Sequence, residues 1–122
     1  MSGIILGVIA RRWRGWAADQ RDADAYEEHF EGAVRPELRS TAGFVDATVE
    51  RVDVDGRVEI VVVTRWESMD SIRSFAGEDV GAAVVEPEAQ AVLADFDTRV
   101  QHVELGEVDT RHGGFLNADF AE

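Results

Sequence analysis

The 122-residue chain carries 25 Asp+Glu against 12 Lys+Arg, a formal net charge of −13, with 45% hydrophobic residues. That length suits one domain, the apolar content excludes a disordered acidic tail, and the charge argues against nucleic-acid or anionic-membrane partners. Cys is absent, which removes disulfides, thiolate metal ligands and a Cys nucleophile.

Ile4 to Gly15 reads as a first strand, with Arg11 and Trp13 in one phase and Val8, Ala10, Arg12 and Arg14 in the other. Its apolar opening is too short to span a membrane, and Arg11 and Arg12 follow it, the reverse of a secretory signal. The expected location is therefore the cytoplasm. Ala17 to Asp24 is a polar connection in which Asp22 or Asp24 suits a helix cap. Tyr26, Phe30, Ala33, Val34 and Leu38 then fall at helical spacing, with Pro36 expected to kink or shorten the last turn.

Gly43 suits a tight position before a strand over Phe44 to Val54. Asp55-Gly56 predicts a hairpin turn, and Arg57 to Trp66 is the returning strand. Ser68 caps a second helix bearing Ile72 and Phe75, which Gly77 ends. Pro87 opens a short third helix that carries Ala89, Val92 and Leu93. Phe96 to Leu105 is the last strand. The expected division is a domain over 1–105 and a polar C-terminal tail over 106–122.

The run Ile60-Val61-Val62-Val63 is apolar in both strand phases, so both faces of that strand need cover. The helices cover one. The expected cover for the other is a second copy of the chain, related by a two-fold axis.

The βαββαβ order, the strand end Thr64-Arg65-Trp66-Glu67-Ser68 and the helix after it resemble the antibiotic biosynthesis monooxygenase domain. Ile9-Ala10-Arg11-Arg12-Trp13-Arg14-Gly15, Phe75-Ala76-Gly77-Glu78-Asp79, Pro87-Glu88-Ala89 and Val100-Gln101-His102-Val103-Glu104 are similar to one branch of it without settled chemistry. The resemblance implies an α+β, ferredoxin-like fold: a four-stranded antiparallel sheet, two main helices and a short extra one. It implies a homodimer of the dimeric α+β barrel type, with a small-molecule pocket between helices and sheet.

Some members of that family oxidise phenols or quinols with O₂ and no cofactor, others cleave haem, and others have no demonstrated activity. The haem-cleaving branch uses an Asn on the first strand, a Trp on the third and a His on the second helical segment. Trp66 matches the Trp. The first strand has no Asn, the chain's single Asn is Asn117 in the tail, and Ser68 to Val85 has no His, which argues against haem cleavage.

His102, in phase with Val100 and Glu104, is the candidate catalytic base; the alternative is a buried His held by one hydrogen bond. Trp66 and Phe75 are candidate walls of an aromatic pocket with Trp13 beside them, the alternative being ordinary core or interface packing. Arg11 shares the phase of Trp13 and suits a substrate carboxylate or a surface acidic partner. His29 suits either the mouth of a pocket or a half-exposed position on the helix, the second being favoured, and His112 has no assigned role. The three His residues form no metal motif, and no nucleotide-binding or hydrolase motif is present.

Three functions fit: a cofactor-independent monooxygenase acting on a small aromatic or quinol substrate, a non-catalytic ligand-binding or sensing dimer, or a structural or assembly role for the dimer with no ligand. The dense carboxylate surface with Arg in place of Lys fits either a GC-rich genome or a salt-loving host.

Overall fold

The computed structural model describes residues 4–105 and 107–109, and the side chains of 7–105. The chain begins with β1 (Ile4–Leu6) and continues into β2 (Ile9–Ala17). The expected single strand is thus broken, because Gly7 turns the backbone at φ +68°, a conformation that glycine adopts without cost.

Helix α1 (Gln20–His29) starts earlier than the sequence suggests. Its cap is Asp19, whose carboxylate accepts the Asp22 N–H at 2.9 Å. The helix widens into a π-helical turn over Phe30–Val34 and then resumes as α2 (Arg35–Arg39), with Pro36 in its first turn. Pro36 has no N–H to donate, and its ring presses on the preceding turn, so the ladder lengthens there and the helix continues.

After Gly43 (φ +90°) come β3 (Phe44–Val54) and β4 (Arg57–Trp66), joined by Asp55 and Gly56, both at positive φ. Helix α3 (Met69–Ala76) is capped by the Ser68 hydroxyl and ends at Gly77 (φ +94°). Helix α4 (Pro87–Gln90) is only four residues long and stops before Val92 and Leu93.

The last strand is not continuous. It is split into β5 (Asp95–Phe96) and β6 (Gln101–Glu104), both paired with β2. Between them the Asp97 carbonyl accepts the Trp13 indole N–H at 2.8 Å, and Arg99 bridges to Ala82. A backbone committed to those contacts cannot also hold the β2 register. Within the segment read as a tail, β7 (Glu107–Asp109) pairs with β1. His112 and Asn117 lie outside the described residues.

The main sheet runs β3-β4-β2, with β5 and β6 sharing the far edge, and all pairs are antiparallel. This is the ferredoxin-like arrangement. One face carries Ile9, Trp13, Ala17, Val58, Ile60, Val62 and Trp66, which form a single cluster with Tyr26, Phe30, Leu38, Ile72 and Ala89 from the helices. Burial of a side chain such as Phe30 or Leu38 contributes about 1.5–3 kcal/mol, so this cluster drives the helices onto the sheet.

The opposite face carries Val61 and Val63, which pair across the strands with Arg14 and Arg12 of β2. Neither valine belongs to the helix-covered cluster. Among the described residues, no helix is long and apolar enough to cross a membrane.

Candidate functional site

The helices do not close fully on the sheet. Between them lies a cavity of about 530 Å³, mouth included, lined by residues of β2, α1, the π-helical turn, β4, α3 and the segment before α4. Its walls are largely aromatic. Trp13 stacks on Tyr26 with ring centroids 5.8 Å apart, Phe30 lies beside Tyr26, and Phe75 faces them from α3.

Besides Thr64, whose hydroxyl accepts the Trp66 N–H, three polar features interrupt that apolar surface. The first is Arg11, only 6% exposed. Its Nη2 donates to the Ala82 carbonyl at 2.7 Å, and its guanidinium sits 5.9 Å from the Phe75 ring centroid. Its Nε is buried without a hydrogen-bond partner among the described residues. Burial pushes its pKa down to about 10, which leaves it a cation at neutral pH.

The second is the pair His29–Glu86. Helix α1 projects His29 into the cavity with Nε2 2.9 Å from Glu86 Oε1. That contact is an ion pair only when the imidazole is protonated, and it does not have hydrogen-bond alignment, so Nε2 is buried without a hydrogen-bond partner among the described residues. The third is Tyr26, whose phenol is held well above its ordinary pKa by burial and then by the charge of Glu86. It stays protonated at neutral pH and serves as a hydrogen-bonding group rather than a base.

The residues singled out from sequence divide in two. Arg11, Trp13 and Phe75 line the cavity; Trp66 and His102 do not. Trp66 is fully buried behind Phe75, at 5.7 Å between centroids, with Phe44 edge-on to it and its N–H on Thr64 Oγ1 at 2.8 Å.

His102 sits on β6 directly across from Arg11, half-buried, with Nε2 lacking a partner among the described residues. Burial and then the Arg11 charge lower its pKa, so it is neutral at pH 7.

Tyr26, His29, Phe30 and Glu86 are lining residues that sequence reasoning did not name as site residues, beyond allowing His29 at a pocket mouth. The first three carried a signal, since their spacing places them on one face of a helix. Glu86 carried none, because it reaches the cavity only through the fold of the segment before α4. His29, expected half exposed, has a side chain only 12% exposed. Among the described residues no group of three or more His, Asp or Glu is placed to hold a metal ion.

The sequence matches the profile of the family described as antibiotic biosynthesis monooxygenase over residues 16–87. Its fold is similar to a monooxygenase from the ActVA-Orf6 gene of Streptomyces coelicolor, solved with nanaomycin D. The two share 21% identity over 83% of this chain and 87% of that one, with a TM-score of 0.56.

The fold is also similar to SnoaB of Streptomyces nogalater, a cofactor-independent oxygenase (15% identity, 82% and 91% coverage, TM-score 0.50). A dimeric ferredoxin-like protein from an uncultured marine organism is a third likeness (14%, 81% and 95%, TM-score 0.51). No curated protein matches significantly. At these identities the structural likenesses establish the fold alone.

Proposed function

The chain belongs to the antibiotic biosynthesis monooxygenase family, and from that premise we propose that it binds a small aromatic phenol in its cavity and oxidises it with O₂, without a cofactor. The observation that carries the reading is the His29–Glu86 pair on the wall of an aromatic cavity. A phenol is inert toward O₂ until it loses its proton. His29, held beside the Glu86 carboxylate on the cavity wall, takes that proton.

The phenolate passes an electron to O₂, and the radical pair recombines at a ring carbon as a hydroperoxide. Loss of water then leaves a quinone. One oxygen atom stays in the product and the other departs in water, so phenol plus O₂ gives quinone plus water. The aromatic walls hold the ring flat and exclude bulk water. His29 is assigned the base in place of His102 because it lines the cavity.

The active form is a homodimer joined through the sheet face that bears Val61 and Val63. The dimeric ferredoxin-like likeness supports that assembly.

The test uses 1,5-dihydroxynaphthalene and isotopically labelled O₂. The expected result is quinone formation above the buffer rate with one labelled oxygen retained. His29→Gln should lower the rate by roughly 100-fold or more. A wild-type rate equal to buffer overturns the oxygenase reading and leaves a ligand-binding dimer.

A further inference from the structure

Arg11 is the least expected residue of the cavity. It is a cation, nine-tenths buried, on the wall of a cavity lined mostly by aromatic and aliphatic side chains. Taking a charge out of water is costly unless it is paired, so buried guanidinium groups almost always face a carboxylate.

Here none does. Among the described residues the protein gives Arg11 one carbonyl, that of Ala82, and the face of Phe75. The Nε–H is left without an acceptor. The residues directly opposite Arg11 on the two neighbouring strands are Thr64 and His102, and neither supplies a negative charge. His102 stays neutral beside it. A guanidinium offers donors in a planar fork that matches a carboxylate, and one edge of this fork remains to be filled.

We infer that the cavity selects aromatic ligands bearing a carboxylate, which docks on Arg11 while the ring lies among Trp13, Tyr26, Phe30 and Phe75. This rests on the reading of the cavity as an aromatic-ligand site. It adds that the ligand completes an ion pair the chain leaves half made. Glu86 stands at another part of the wall, beside His29, and repels the carboxylate from that side. The ligand is thereby given one orientation, carboxylate toward Arg11 and the opposite end of the ring toward His29.

The test compares 2-naphthoate with 2-naphthamide, which share ring and shape and differ in charge. Affinities are measured by calorimetry on the full chain. The expected result is naphthoate binding about tenfold or more tighter than the amide, the range of a hydrogen bond to a charged group. The Arg11 Nε–H resonance should shift with naphthoate and not with the amide. Arg11→Met should abolish the preference while naphthamide still binds.

Because the preference is read first in the wild type, a poorly folded variant does not disable the test. Equal affinity for both compounds in the wild type overturns the carboxylate inference and leaves the aromatic cavity standing. Failure of both to bind overturns the cavity reading and the inference together.

Discussion

Removing the hydroxyl of Thr64 should destabilise the fold through a residue it does not itself cover, Trp66. Thr64 is buried on β4, and its Oγ1 accepts the Trp66 indole N–H at 2.8 Å. Trp66 is 0% exposed, so water cannot replace the lost acceptor. Valine matches threonine in shape, and Thr64→Val therefore deletes one acceptor without opening a cavity.

An orphaned buried N–H costs about 1–3 kcal/mol. The added methyl returns at most about 0.8 kcal/mol. The net loss is centred on about 1 kcal/mol. With a urea slope of about 1–3 kcal/mol/M, the midpoint should fall by roughly 0.3–1 M.

Circular dichroism is the assay, at fixed protein concentration, because the second arm changes a tryptophan. In a Trp66→Phe background the same Thr64→Val change should cost little, since no N–H is left to orphan. Equal losses in both backgrounds would refute the reasoning. So would no loss in either.

Three further outcomes are expected. Sedimentation at micromolar concentration should show a dimer, and Val63→Glu, a charge at a half-buried position on the sheet face away from the helices, should shift it to the 13.4 kDa monomer; a wild-type monomer would sink the assembly. The thermal midpoint should rise in molar KCl, because the net charge of −13 repels itself least when screened; an unchanged midpoint removes self-repulsion as a factor.

The lowered pKa of His102 means that the unfolded chain binds its proton at higher pH than the folded one. Its contribution to stability is therefore complete above about pH 6.5 and lost as the pH falls through the folded-state value. His102→Gln should flatten that part of the pH–stability curve, and identical curves would count against a buried imidazole.

Local chemistry alone determined much of this protein. The β3–β4 hairpin is written in alternation flanking Asp55-Gly56, whose positive φ values the two residue types tolerate. The ends of α3 are written in Ser68 and Gly77, and the inward phase of Arg11 and Trp13 in period-two spacing. These features depend on neighbours a few residues away, and so they are visible in order along the chain.

The tertiary structure decided the rest. Breaking the last strand required Trp13 to reach the Asp97 carbonyl, a contact between residues 84 positions apart. Placing Trp66 behind Phe75 rather than on the cavity wall depended on how closely α3 returns over β4.

The composition of the site was decided in the same way. His29 and Glu86 meet only because α1 and the segment before α4 converge, and no local pattern links residues so far apart in sequence. Arg11 could be read as inward-facing from its strand phase, but its lack of a carboxylate partner could not. Pairing is set by which side chains the whole fold brings within 4 Å, and a sequence this rich in Asp and Glu suggests a partner for every arginine. Burial behind Phe75 and beside neutral His102 keeps those abundant carboxylates away, and it is this exclusion that leaves the cation facing the cavity.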